Sequence, residues 1–398
     1  MNISDEVLAE YDELVSVRRH FHANPELSFA EYETSKFIAE KLREIGVSDV
    51  KEGIAKTGVV GYVRCSGGDY AREGVRKVVV ALRADMDALP LQETNDVPYK
   101  SKRDGVMHAC GHDLHCSALL TTAKLLVKST DTFNCDVKLI FQPAEEGQNG
   151  AGVMIAEGVL EDVDAIYGIH VWSEGRVGEM MVSDGPVMAS CDRFDISVRG
   201  KGGHAAAPHQ TVDAIVSAAN IVTNLQTIVS RNVAPTEAGV VTCGTINGGY
   251  NFNIIAEEVK ISGTTRAFQP EIRDKIKERI RAICTCCASM GGGEAQVEFS
   301  QGMPPTVNRY PSSVLCVKRA AACVVGEENI TKQLTMGAED FSRFLDLKQG
   351  CFFFVGCAME GEFRPHHKSV FDADERAMLV QVEMFLKVVR DLGNVVIH

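Results

Sequence analysis

"VKLIFQPAEEGQNGAG" (137–152) opens with a strand-like apolar run, turns through Gln142-Pro143-Ala144, and then sets two carboxylates side by side at Glu145 and Glu146. A short apolar run closed by Pro and Gly reads as a buried strand. Three other runs end the same way. "KVVVAL" (77–82) leads into Arg83-Ala84-Asp85-Met86-Asp87, "AIYGI" (165–169) ends at His170, and "CFFFVG" (351–356) precedes a loop ending in His366-His367. Each run delivers polar, metal-capable side chains just past its carboxyl end, the edge at which open α/β sheets bind ligands.

Helical patterns alternate with these runs. Residues 4–22 carry Val7, Leu8, Tyr11, Leu14, Val15, Arg18 and Phe21 at helical spacing, and a second periodic stretch covers 31–45. His20 and His22, flanking Phe21, read as structural. Asp113 is the expected N-cap of a helix through "LHCSALLTTAKLLVKS" (114–129). The class is therefore α/β, a central mixed sheet flanked by helices.

From Asp192 the pattern changes. "RFDISV" (193–198) reads as a strand, and the next segment as a helix with Val212, Ile215, Val216, Ala219, Val222, Leu225 and Val229 on one face. "GVVTCGTI" (239–246) and "EEVKISGTTRAF" (257–268) read as strands. Pro270 opens a helix carrying Ile272, Ile276, Ile280 and Ile283, and "EAQVEFS" (294–300) closes the unit. The order β-α-β-β-α-β is ferredoxin-like. Metal-capable segments resume afterwards, so the unit is expected to be an insert: 1–187 first part of a catalytic domain, 188–301 insert, 302–398 second part.

At 398 residues the chain exceeds the ~250–300 at which one core stops growing. A formal charge of −13 with no basic stripe argues against nucleic acid and points to small-molecule partners. The acidic start "MNISDEVLAEYDEL" shows no signal sequence, and no apolar run is long enough to span a bilayer, so the expected compartment is the cytoplasm. Thirteen cysteines, two of them adjacent at 286 and 287, suit a reduced pool.

"HACGHDLHC" (108–116) lacks the Cys-x2-Cys pair of a zinc finger. Cys110, His112, His170, His367 and one glutamate form an N/S/O donor set that suits Zn, Mn, Co or Ni better than Mg or Ca. In a helical turn adjacent residues point about 100° apart, so one carboxylate of Glu145-Glu146 can bind a metal while its neighbour addresses water. Amide hydrolysis needs a nucleophilic hydroxide, a polarised carbonyl and a proton for the amine, which a metal and a carboxylate supply together.

Seven motifs then stand in order: "RADMDALP" (83–90), "HACGHDLH" (108–115), "FQPAEEG" (141–147), "GIHVW" (168–172), "GKGGHAAAPH" (200–209), "MGAEDF" (336–341) and "HHKSVF" (366–371). The chain thereby resembles the metal-dependent amidohydrolases that include hippurate hydrolase, indole-acetyl-amino-acid hydrolase and related aminoacylases and carboxypeptidases. The resemblance runs from about residue 18 to residue 375. It implies a metallopeptidase-like catalytic domain with a lid or dimerisation insert. Two divalent ions would be bound by Cys110, His112, Glu146, His170 and His367, with Glu145 as general base and then acid.

It further implies that Asp85 and Asp87 orient the ligands, that His204 donates to the oxyanion, often across a subunit boundary, and that Asn253 and Arg266 hold the substrate. The implied reaction is hydrolysis of N-acyl-L-amino acids, or of dipeptides, by a homodimer or homotetramer. Rival readings are a catalytically silent metal-binding relative and a thiol enzyme using Cys110. His108, His115 and Cys116 are expected to support or pack the site, and His209 to be structural. Two departures bear on substrate fit: Asn253-Ile254-Ile255-Ala256 where the family usually has Asn-Val-Ile-Pro, and Lys368-Ser369 where Ser-Pro or Asn-Pro is common.

Overall fold

Every residue of the strands Val79–Asp85 and Asp136–Gln142 is buried, as expected of continuous apolar runs covered on both faces. The computed structural model describes residues 1–66, 77–300 and 302–392. It divides into two units: Met1–Val187 with Val307–Gln333 and Asp340–His398, and Met188–Thr306 with Leu334–Glu339. Gln301, the last residue expected in the insert, lies outside the described residues, as do 67–76 and 393–398 of the flanking parts.

The first unit carries an eight-stranded mixed sheet. Val79–Asp85 pairs in parallel with Asp136–Gln142 on one side and with Ala165–Arg176 on the other. Gln349–Ala358 continues in parallel beyond Ala165–Arg176. Ser48–Ile54 and Gly58–Val63 extend one side as antiparallel strands. The four central strands thus point the same way. The chain leaves Val79–Asp85 to one side and later returns across it to Ala165–Arg176, which creates the switch point where α/β sheets bind ligands.

Helices Tyr11–Ala23, Tyr32–Ile45, His112–Lys128, Pro311–Val325 and Ala377–Leu392 belong to this unit. His112–Lys128 is buried almost all round, with Leu114, Leu119 and Leu126 fully enclosed, each contributing about 1.5–3 kcal/mol. Two expectations need correction. The stretch 4–22 is two helices, Asp5–Leu8 and Tyr11–Ala23, interrupted at Glu10, whose carboxylate takes the ammonium groups of Lys124 and Lys128. Asp113 is not an N-cap: the helix starts at His112 behind Gly111, and the Asp113 carboxylate is occupied by Arg18 and His22.

The second unit has strands Asp192–Arg199, Gly239–Gly248, Glu258–Ala267 and Glu294–Phe299, with helices Ala214–Thr227 and Pro270–Met290. All its strand pairs are antiparallel. Gly239–Gly248 and Glu294–Phe299 form the two edges, and the order is the ferredoxin-like one expected. Asp213 caps the first helix, accepting the N–H groups of Ile215 and Val216 at 2.9 and 3.2 Å. The buried face of that helix is rotated from the one expected, with Leu225 in both and Val222 packed at its border. Ala214, Ala218, Ile221, Leu225 and Ile228 are buried, while Ile215 and Val216 are 45% and 57% exposed. The helix is apolar on two sides, and periodicity alone does not say which side meets the sheet.

Candidate metal centre

The donors reach one place from four separate segments of the first unit. Cys110 and His112 follow the long loop after Val79–Asp85, and the glycine between them is obligatory. Gly111 has φ +97°, and a Cβ there would lie 2.3 Å from Val171 Cγ2. Glu145 and Glu146 sit in the turn after Asp136–Gln142, which Ala144 enters in the left-handed region at φ 56°, ψ 43°. A non-glycine residue held there costs about 1–3 kcal/mol. His170 projects from Ala165–Arg176. His367, also at positive φ (59°), donates its backbone N–H to the Ala109 carbonyl at 2.8 Å, so its loop is tied to that of Cys110.

Cys110 Sγ lies 3.4 Å from His170 Nε2 and 3.3 Å from His367 Nε2, and His367 Nε2 lies 3.2 Å from Glu146 Oε1. Cys110, His112 and His170 offer donor atoms all within 4.8 Å of one another. So do Cys110, Glu146 and His367, and likewise His112, Glu145 and Glu146. The sulfur of Cys110 is common to the first two groups.

Ring tautomers follow from the partners. His112 Nδ1–H donates to the Asp87 carbonyl at 2.8 Å and His170 Nδ1–H to the Val171 carbonyl at 2.6 Å, so both Nε2 lone pairs face the other donors. His112 Nε2 is buried and finds no hydrogen-bond partner among the described residues. His115 is different. Its Nε2 accepts the Val171 N–H at 3.0 Å and its Nδ1–H donates to Asp85 at 2.6 Å, so neither nitrogen is left for a metal. His366 likewise accepts the Ser173 N–H, and burial with neighbouring His367 holds its imidazole at about 3.

Charge favours a cation here. Burial, then the carboxylates of Glu146, Glu145 and Asp85, push the Cys110 thiol well above its ordinary range. Burial pulls the His112 imidazole down, but Asp85 and Asp87 outweigh it and lift the group to about 10. Protons are standing where a divalent ion would stand, and sulfur, imidazole and carboxylate are donors that hold one. The residues fit a metal.

Asp85 and Asp87 brace the donors. Burial would raise Asp85, but Arg83, His112 and His115 hold it well below the usual carboxylate range. Asp87 accepts the N–H groups of Glu145 and Glu146 at 3.1 and 3.0 Å and the Ser28 hydroxyl at 2.7 Å. Several braces had no sequence signal. Arg18, fully buried, donates to Asp113 at 2.9 Å, Asp372 at 2.8 Å and Glu375 at 3.2 Å, linking the residue after His112 to the loop after His367. His22 bridges Asp113 and Glu93, while His20 stacks on Phe37. Asp340 accepts from Arg83, Gln142 and the Ala151 N–H. Only the motif containing Asp340 marked it beforehand.

His204, Asn253 and Arg266 lie in the second unit. His204 and Ile254 are paired across a two-residue ribbon, and the Asn253 carbonyl accepts the Ala205 N–H at 3.1 Å, so those two are neighbours. His204 Nδ1 accepts the Ala206 N–H at 3.0 Å, which places the ring proton on an exposed Nε2. Arg266 stands on Glu258–Ala267, its guanidinium donating to Thr264 and to the Thr265 carbonyl.

Residues 81–391 match peptidase family M20/M25/M40. Thermostable carboxypeptidase 2 of Saccharolobus solfataricus is 42% identical over 92% of this chain and 91% of its own length. Hippurate hydrolase of Campylobacter jejuni is 40% identical over 89% and 91%. A dinuclear metal-binding peptidase of Bacillus subtilis superposes with a TM-score of 0.84 at 32% identity, covering 97% of this chain and 99% of that one. The chain belongs to peptidase family M20/M25/M40, and it is a metal-dependent amide-bond hydrolase of that family.

Proposed function

We propose that the chain hydrolyses N-acyl-L-amino acids to a carboxylic acid and a free amino acid at the centre built from Cys110, His112, Glu146, His170 and His367. The observation that carries this is the placing of Glu145, a 6%-exposed carboxylate, within 4.8 Å of donor atoms of His112 and Glu146. Those five residues would hold two divalent ions, with Cys110 common to both donor groups. Soft sulfur and imidazole donors favour Mn, Zn, Co or Ni. Bound there, the ions supply a Lewis acid for the carbonyl and lower the pKa of water from 15.7 to about 7.

Glu145 takes the proton of the attacking water and passes it to the leaving amine. Asp87 keeps Glu145 and Glu146 aimed by holding their backbone N–H groups. His204, with its proton on the exposed Nε2, is the donor for the developing oxyanion, and Asn253 and Arg266 receive the substrate carboxylate or acyl oxygen. The second unit acts as lid and dimerisation domain. Its exposed Ile215 and Val216, beside a sheet whose edge strand is Gly239–Gly248, suit a second copy of the chain, giving a homodimer or a homotetramer. No described helix is long and apolar enough to cross a membrane, and we place the activity in the cytoplasm.

Dipeptide or carboxypeptidase cleavage at the same centre is the second reading, favoured by the similarity to a carboxypeptidase. A panel of N-acetyl, N-benzoyl, indole-acetyl and aminoacyl amino acids, given to protein loaded with Mn, Zn or Co, separates the two by which amine is released. Glu145→Gln is expected to lower kcat about 10²–10⁴-fold while metal stays bound. A panel left intact by loaded wild-type protein sinks the assignment. Activity that survives EDTA would revive the thiol reading, against which the raised Cys110 thiol already argues.

A further inference from the structure

Pro25–Glu31, "PELSFAE", contributes nothing to the donor set, yet two of its side chains reach towards the turn that carries Glu145 and Glu146. Glu31 Oε1 accepts the Ala144 N–H at 2.9 Å, and its Oε2 accepts the Thr57 hydroxyl at 2.6 Å. Ser28 donates to Asp87, which accepts the next two N–H groups of the turn. Three consecutive backbone amides, at 144, 145 and 146, therefore enter two buried carboxylates.

Glu31 occupies the N-cap position of Tyr32–Ile45 without capping it. Glu26 does that work, its Oε2 accepting the Thr34 N–H at 2.8 Å. The Glu31 side chain is thus released to Ala144, in the left-handed conformation that alanine adopts only when its surroundings over-determine it. Glu31 on its N–H and the Gly150 N–H on its carbonyl, at 3.0 Å, are those surroundings. The backbone angles of Ala144 set where the next two side chains point.

We propose that Glu31 is a positioning residue: its carboxylate keeps Ala144 left-handed and so aims Glu145 at the substrate and Glu146 at the metal. The proposal rests on the reading of Glu145 as base and Glu146 as ligand. Full-length Glu31→Ala, Glu31→Gln and Glu31→Ala/Ala144→Gly would be compared with wild type. The readouts are steady-state kinetics on the best substrate of the panel, calorimetric Mn²⁺ titration of metal-free protein, and thermal unfolding.

Glu31→Ala is expected to lower kcat about 10–100-fold with KM within about threefold, and to weaken Mn²⁺ binding about tenfold. Glu31→Gln, whose carbonyl still accepts the Ala144 N–H, keeps most of both. Glycine at 144 takes positive φ without steric cost and restores part of the lost kcat. Unchanged kcat and Mn²⁺ affinity in folded Glu31→Ala, or a loss that Ala144→Gly does not relieve, would overturn the proposal. If Glu31→Ala does not fold, Thr57→Val loosens the same carboxylate. It should cost about threefold in Mn²⁺ affinity, and no change there counts against Glu31. The titration needs no turnover, so wild-type protein that binds Mn²⁺ but cleaves nothing defeats the proposed activity alone.

Discussion

The metal centre and the His204–Asn253 pair are built in opposite ways. Around the metal centre the side chains are tied into a buried hydrogen-bonded framework: His112 by the Asp87 carbonyl, His170 by the Val171 carbonyl, Asp113 by the Arg18 guanidinium. His204, on a two-residue ribbon, and Asn253, just before its second strand, are exposed and are tied through the backbone groups of Ala206 and Ala205. The first arrangement has its geometry fixed before substrate arrives. The second leaves its polar groups in water, where they can be desolvated by whatever they bind. One predicts mutations that damage folding and activity together, the other mutations that damage activity alone.

The largest effect that would break this contrast is at Arg18. Arg18→Met takes the guanidinium from buried Asp113 and Asp372, leaving them to the neutral or weaker partners His22 and Tyr99, and is expected to cost about 3–5 kcal/mol in denaturant unfolding. A loss below 1 kcal/mol would show that the bracing around the metal centre is dispensable. Next comes His204→Ala, expected to lower kcat about 10²–10³-fold with stability unchanged within about 0.5 kcal/mol. Full activity would remove His204 from the mechanism.

Arg266→Lys should raise KM about tenfold and leave kcat, since an ammonium cannot reproduce the planar fork. If kcat falls and KM holds, Arg266 acts on the reaction and not on the ground-state substrate. The smallest effect concerns acid. Burial raises Asp192, but Arg273 and Lys277 at 2.7–2.8 Å outweigh it and hold the carboxyl below its ordinary value. A depressed folded pKa stabilises fully above the unfolded value near pH 4 and loses that contribution as pH falls through the folded one. Protection against hydrogen exchange in 192–199, relative to the intrinsic rate at each pH, should therefore fall below about pH 4, and less steeply in Asp192→Asn. Identical acid limbs would deny Asp192 that role.

The same contrast explains what was legible in the sequence. Cys110, His112, Glu145, Glu146, His170 and His367 stand at or beyond the ends of apolar runs, so strand pattern and chemistry pointed to them together. Arg18, Glu31 and Asp340 work through Asp113, Glu375, Ala144 and Gln142, which lie 95 to 357 positions away in sequence, and no local pattern encodes such distances. Asp113 illustrates the trap: aspartate before an apolar helix reads as a cap until a buried arginine from elsewhere claims it. On Ala214–Thr227 the helical period is legible but the buried face is rotated from the expected one, meeting it at Leu225, because apolar residues stand on two sides.

His367 is tied by its backbone to Ala109, and Arg18 reaches both Asp113 and Asp372. During synthesis, then, a chain long enough to contain Cys110, His112, Glu146 and His170 still lacks the last donor and the carboxylate that closes the Arg18 clamp. The complete centre requires residues 367–372 to have been made. A product truncated before His367 is left with an incomplete set of donors.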